Sequence, residues 1–434
     1  MIENLTLSDL ISQHISNSME LALAAERYPM WKRACPELAD TDFIRLGLYR
    51  CLSVVDSGRH FLQATNDIHD EHIPLTTYFD ALSSPRRTDM LKAVEQHSYE
   101  ILSQMLKEQD IDYLQSYSEL DEFIVEAADG HFIDHACHTP KNNKGKVYAA
   151  GFIYALNLRY GLLRPLCPVT NGTQKHQEIP ILRKHLEKEN AKKRLPQQKN
   201  LYVYDKAVTD FSWWDQQKSD HNYMISVLKE NSIAKCVESI PFDQQDALNL
   251  GVEAYDIYEN DKGICFSVVT YCDPETGKRH RFISTLPQSI RPGAIAMLYY
   301  KRWTIEKAFN NSKSDFKEKK AWSSQQCSLE NQMRLTAMSY NLMRVLEETS
   351  KQKAPELIHP SDKKYNITLE KRQQVAEKQD RFVNPLFFQP RLTRISSFTI
   401  RAAQSAIITG KLLVDLIRSL VEKMVPRGEI KGEH

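Results

Sequence analysis

Tyr299, Arg302, Glu306 and Lys313 lie in the stretch YYKRWTIEKAFNNSK, residues 299–313, in the pattern Tyr-x2-Arg-x3-Glu-x6-Lys. The stretch has no Gly and no Pro and mixes apolar with basic residues, which predicts a helix. At roughly 100° per residue the four fall within an arc of about 60° on one helical face. That face presents one carboxylate among a phenol, a guanidinium and an ammonium. Such a set suits a site that holds a divalent cation and polyanionic phosphate together. The same spacing also fits an amphipathic helix with a solvated charged face.

The elements that must carry this face can be read along the chain. Residues 1–115 show helical periodicity, with Leu7, Leu10, Ile11 and Ile15 on one face and Pro29, Pro36, Pro74 and Pro85 as punctuation. From residue 121 the character changes. EFIVEAADGHFIDHA and VYAAGFIYALNLRYGLLRPLCPVT are rich in β-branched and aromatic residues, with turns at Asn143 and Gly145 and at Arg159-Tyr160-Gly161. Three antiparallel strands fit this pattern. Ile181–Arg194 reads as a charged helix with a solvated face, DNA-backbone contact being the alternative. LYVYDKAVTD, Leu201–Asp210, reads as a buried strand that ends at a carboxylate. Three strands, a helix and a further strand form the opening of an RNase H-like fold.

Residues 236–285 alternate β residues with turns and read as a small antiparallel insertion, expected to be a separable module. Leu329–Glu348 predicts an amphipathic helix that packs on the sheet. Residues 351–385 are polar. Ile395–Met424 is helical again, with Leu412, Leu413, Leu416, Ile417 and Leu420 as an apolar stripe for the core or for a dimer contact. The expected class is α/β: an RNase H-like catalytic core over 116–350 with a β-strand insertion at 236–285, flanked by helical regions at 1–115 and 351–434.

With 434 residues the chain is long enough for two or three domains. Hydrophobic residues make up 41% and charged ones 26%, an ordinary globular balance. A net charge of +1 neither requires nor excludes a nucleic-acid partner, because charges can be segregated on the surface. The eight cysteines include no CxxC pair, which suits free thiols in a reducing compartment. No apolar run approaches a membrane span, and the start MIENLTLSDLISQHI is acidic and amphipathic, unlike a secretory signal. A cytoplasmic, bacterial location without membrane partners is the expectation.

The four-residue pattern, Trp303 directly after the arginine and the approach HRFISTLPQSIRPGAIAMLYYKRW resemble DDE transposases of bacterial insertion sequences, in the branch called the insertion sequence four family. The resemblance runs from about residue 120 to 345. It implies three carboxylates that bind two Mg²⁺ ions, with Mn²⁺ as a substitute. Asp129 in AADGHF matches the family's Asp-Gly pair, Asp205 ends YVYD at the second position, and Glu306 is the third. His131 stands where members often carry Thr or Ser, and Lys206-Ala207 where they usually carry Arg-Gly. Asp134 and Asp210 are the competing acids. His131, His135 and His138 raise zinc as an alternative, but no fourth ligand is evident.

By the same resemblance, Tyr299, Arg302 and Lys313 would hold terminal phosphates of a cut strand. Trp303 would stack on an unpaired base or pack in the core. Lys301, Lys307 and Lys317 are the expected backbone contacts. An N-terminal helical domain would grip the transposon ends, with Arg86 and Arg87 as candidate phosphate contacts. The implied partner is double-stranded DNA, both inverted-repeat ends and target, bound by a homodimer. The implied activity is cut-and-paste transposition: cleavage at the transposon end, then joining of the freed 3′ hydroxyl to the opposite strand or to target DNA. The alternatives are an inactive or domesticated copy that regulates by binding DNA ends, and an RNase H-like nuclease without strand transfer.

Overall fold

The computed structural model describes residues 5–25, 37–53, 55, 57–69, 72–171, 178–190, 198–205, 210–229, 234–316, 318–353, 360–384, 387 and 395–422. Lys206, Ala207 and Lys317 lie outside them. The described strands are β1 (Phe123–Ile133), β2 (Ala150–Asn157), β3 (Leu163–Asn171), β4 (Lys199–Val203), β5 (Asn222–Val227), β6 (Ala234–Ser239), β7 (Val252–Asn260), β8 (Cys265–Cys272) and β9 (Arg279–Ser284). The helices before the sheet are α1 (Leu7–Ala24), α2 (Asp40–Leu52), α3 (Gly58–His69), α4 (Leu75–Leu82) and α5 (Pro85–Glu108). Those within and after it are α6 (Glu178–Asn190), α7 (Phe211–Ser219), α8 (Pro292–Lys301), α9 (Trp303–Ser314), α10 (Gln326–Gln352), α11 (Pro360–Glu377), α12 (Ser397–Thr409) and α13 (Leu413–Glu422).

The strands form one sheet in the order β3-β2-β1-β4-β5-β9-β8-β7-β6. β1, β2 and β3 are an antiparallel meander, turned between β2 and β3 at Gly161, whose φ of +68° suits a residue without Cβ. β4 lies parallel to β1 and β5 parallel to β4. Parallel neighbours need a crossover, and α6 and α7 lie between the strands concerned. The order 3-2-1-4-5 with these directions is the RNase H-like arrangement expected from the sequence.

Strand residues alternate between two apolar layers. Val125, Ala127, Leu201 and Val203 point into the larger cluster, which α1, α2, α5, α10 and α12 complete. Ala128, Tyr202 and Tyr204 point the other way, onto Leu182 and Leu186 of α6 and Trp213 and Trp214 of α7. β2 is buried along its whole length, as a central strand covered on both faces must be. The C-terminal stripe turns inward: Leu413, Leu416 and Leu420 are buried in the same cluster as the sheet. Arg86 chelates Asp40 at 2.8 and 2.7 Å, and Arg87 donates to the Leu38 carbonyl at 2.6 Å. Both guanidinia therefore tie the start of α5 to the start of α2.

The strands read as a separable insertion continue the same sheet. β9 pairs antiparallel with β5, through Ile225 and Ser284 among others, and β8, β7 and β6 follow outward. Tyr255, Val269, Tyr271 and Phe282 are buried in the larger cluster. Local alternation announces strands but does not say which edge they pair with, and here the available edge is β5. Among the described residues no helix is long and apolar enough to cross a membrane.

Candidate active site

Side-chain parity places the first two acids. Asp129 shares the face of Val125 and Ala127, and Asp205 that of Leu201 and Val203. β1 and β4 are parallel, with Ala127 opposite Val203. Two residues further along each chain, Asp129 and Asp205 emerge side by side at the carboxyl end of β4, facing α8–α10. Gly130 N donates to Asp129 Oδ1 at 2.8 Å, which fixes that carboxylate. A Cβ at Gly130 would sit 2.8 Å from Glu178 Oε2 and 2.9 Å from Phe132 Cε2, side-chain ends that would have to shift.

The third acid comes from α9. The sequence predicts one helix through residues 299–313, but two are observed, α8 and α9, meeting at Arg302. Arg302 keeps helical torsions (φ −50°, ψ −36°), so no residue type marks the junction. Tyr299 thus lies on α8, and Glu306 and Lys313 lie on α9. Arg302 joins the pieces. Its Nη1 donates to Asp129 Oδ2 at 3.1 Å and its Nη2 to Glu306 Oε1 at 3.3 Å. Its guanidinium carbon lies 5.6 Å from the centre of the Tyr299 ring and 5.7 Å from that of Trp303.

The electrostatics follow from this crowding. Burial pushes the Asp129 carboxyl above its ordinary range; the Gly130 amide and Arg302 oppose the rise, and Asp205 adds to it. Burial also raises Glu306, with Arg302 opposing and Asp129 and Asp205 adding. Acids whose charged forms are disfavoured by burial and by one another make a site that attracts cations. Among the described residues no three acidic, His or Cys side chains are gathered closely enough to hold a metal ion. The donor chemistry nevertheless suits a hard divalent cation: carboxylate oxygens from three separate elements. A buried guanidinium already serves two of them, since the Arg302 side chain is only 6% exposed.

The other residues singled out from the sequence divide into two groups. Trp303 is 55% exposed, and Lys307 and Lys313 also reach the surface of α9, on the side of Glu306. Tyr299 is partly buried against Phe282, with ring centres 4.9 Å apart. Lys301 does not face solvent. It is buried at the end of α8, and burial, with Lys307 adding, lowers its ammonium to about 7. Asp210 caps α7 by accepting from Trp213 N at 3.0 Å and pairs with Arg183 at 2.9 Å. Asp134 is exposed, and its backbone bridges to Lys320.

His131 is a core residue. Its ring lies 4.7 Å from that of Phe309, and its Nε2 is 3.2 Å from Glu318 Oε2. His135 and His138 are exposed beyond β1. Sequence reasoning missed Glu178, at the start of α6, whose carboxyl is raised by burial and by Asp129. Only the glycine after Asp129 hints at it.

Order and register define an RNase H-like core. Residues 127–342, which contain all three acids, match the family model described as the transposase DDE domain. Over that span the chain is similar to DDE transposases. No curated protein matches the chain. Among solved structures it is similar to the cryo-EM structure of a piggyBac transposase synaptic complex with hairpin DNA. The identity is 10%, 100% of this chain and 88% of that chain are covered, and the TM-score of 0.34 is too low to carry an argument.

Proposed function

We propose that this protein is a cut-and-paste DNA transposase of the insertion sequence four type from a bacterial cytoplasm. It acts as a homodimer on double-stranded DNA, with residues 1–115 gripping the transposon ends. The observation that carries the reading is the juxtaposition of Asp129 with Asp205 in register, and of Asp129 with Glu306 across Arg302. The pattern around Glu306 and the family match over 127–342 support it.

In this reading Asp129, Asp205 and Glu306 would hold two Mg²⁺ ions, or Mn²⁺ in their place. Bound there, the ions supply Lewis acidity to the attacking and leaving oxygens of an in-line displacement. A water oxygen attacks the phosphodiester at the transposon end, the bond to the 3′ oxygen breaks, and a 3′ hydroxyl is freed. That hydroxyl then attacks the opposite strand or target DNA by the same displacement. Tyr299, Arg302 and Lys313 hold phosphates of the cut strand, Arg302 exchanging carboxylate for phosphate oxygens as DNA arrives. Trp303, exposed beside Glu306, offers a face to an unpaired base. Lys307 and Lys317 add charge beside the strand, whereas Lys301, buried at the end of α8, does not reach it.

The test is incubation with Mg²⁺, DNA carrying the inverted repeats that bracket the gene, and a supercoiled plasmid. Nicks at the repeat ends followed by joined products are expected. Binding without cleavage would instead identify a regulator, and cleavage without joining a nuclease.

A further inference from the structure

A cavity of about 700 Å³ lies away from the three acids, within the size range of small-molecule sites. Its walls come from α3 and α4, from residues 136–138 beyond β1, and from Phe316, Glu318 and residues 320–325 beyond α9. Arg50 of α2 projects into it. This side chain is 6% exposed, and its guanidinium carbon sits 4.1 Å from the centre of the Trp322 ring and 5.9 Å from that of Tyr78. Its Nη1 has no hydrogen-bond partner among the described residues. A buried guanidinium with an unused donor is costly unless an anion meets it.

The acid in the wall does not fill that role. Glu318 accepts from Thr336 Oγ1 at 2.9 Å and from Gln332 Nε2 at 3.4 Å, and it faces His131 at 3.2 Å. At the rim, exposed Arg59 and Lys320 outnumber exposed Asp80. Phe79 and Trp322 give the cavity aromatic walls, and Ser83, Ser323 and Ser324 supply hydroxyls.

We propose that this cavity binds one phosphorylated nucleotide unit, its phosphate on the Arg50 guanidinium and its base against the aromatic walls. An arginine fork suits phosphate oxygens, and aromatic faces accept any base. The unit comes from the phosphorylated end of a DNA strand or from a free nucleotide. The DNA source rests on the transposase reading, whereas the nucleotide chemistry stands apart from it. Position favours DNA. Ala136, in the cavity wall, is seven residues from Asp129, at most about 24 Å along an extended chain. One DNA strand can span both places.

The test uses the full chain and isothermal titration with three probes: dAMP, deoxyadenosine, and a 5′-phosphorylated single-stranded hexanucleotide. Arg50→Met removes the cation, and Ser324→Trp fills the cavity while leaving Arg50 in place. Urea midpoints report whether each variant is folded. Wild type is expected to bind at least one phosphorylated probe, dAMP or the hexanucleotide, at least roughly tenfold more tightly than deoxyadenosine, and each folded variant to lose roughly tenfold or more. Binding of the hexanucleotide alone, with the same sensitivity, supports a DNA end as the source; equal binding of dAMP supports a free nucleotide. Failure of both phosphorylated probes to bind, indifference to the missing phosphate, or indifference to both substitutions overturns the proposal. Nucleotide binding that depends on Arg50 in a protein that cuts no DNA leaves the cavity standing and removes only the transposase reading.

Discussion

Arg302 and Asp129 are 173 positions apart in the chain, and their side chains meet at 3.1 Å. The same guanidinium reaches Glu306 at 3.3 Å, so one buried cation serves two of the three acids. In free protein it supplies the positive charge that the carboxylates require.

Replacing Arg302 tests that role without DNA. Arg302→Ala leaves two crowded carboxylates without their charged donor and is expected to cost about 1–3 kcal/mol in urea unfolding. Arg302→Lys should recover only part, because an ammonium cannot reproduce the planar fork. Mg²⁺ should raise the midpoint of Arg302→Ala by more than that of wild type, since the guanidinium no longer competes for the acids. An equal or smaller rise would show that Arg302 is not at the cation site.

The pH dependence of Asp129 has a definite sign. Its folded value lies above its ordinary 3.8, so in that window the native state binds more protons than the unfolded chain. The contribution of this group to stability therefore falls as pH rises through the window. At neutral pH without metal, Asp129→Asn should be slightly more stable than wild type, and acidification towards pH 4 should narrow the gap. A less stable variant at neutral pH would mean that Arg302 outweighs burial.

Gly130 and Glu178 form a second testable pair. A Cβ at position 130 would meet Glu178 Oε2 at 2.8 Å, the free end of a flexible side chain, so Gly130→Ala should cost at most about 1 kcal/mol. Glu178→Ala in the same chain should recover part of that loss. Independent, additive effects in a double-mutant cycle would argue against the contact.

The neighbouring acids separate by task. Asp210→Ala removes the cap of α7 and should cost about 1 kcal/mol while DNA cleavage persists. Asp134→Asn should leave both stability and cleavage near wild type. Asp205→Asn should abolish cleavage in a folded protein. Cleavage lost in Asp210→Ala and kept in Asp205→Asn would mean that the acid after β4 has been misassigned.

Much of this arrangement is visible in the sequence, for reasons that can be named. Alternation in EFIVEAADGHF and LYVYD gives the strands, and the period of two then puts Asp129 and Asp205 on one face. The pattern around Glu306 gives the third acid. The junction at Arg302 is invisible because its torsions remain helical. The burial of Arg302 and Lys301 is also invisible, since a charged residue in a basic stretch reads as solvated until the acids and walls around it are known. Glu178 carries no signal of its own, because its place depends on how α6 lies against β1. The outer strands are legible as strands, but their pairing with β5 is not, since edge pairing is a property of the folded sheet.

The most direct measurement compares wild type with Glu306→Gln on one inverted-repeat end DNA, by gel shift and by Mg²⁺-dependent cleavage. The substitution keeps the shape of the side chain and removes its charge, so the loss should fall on chemistry. DNA binding is expected to stay equal or tighten, because a negative charge near phosphates is gone. Cleavage is expected to drop by at least about 100-fold, nearly 3 kcal/mol of transition-state stabilisation. Cleavage by Glu306→Gln at the wild-type rate would contradict the assignment of Glu306, and with it the three-acid site.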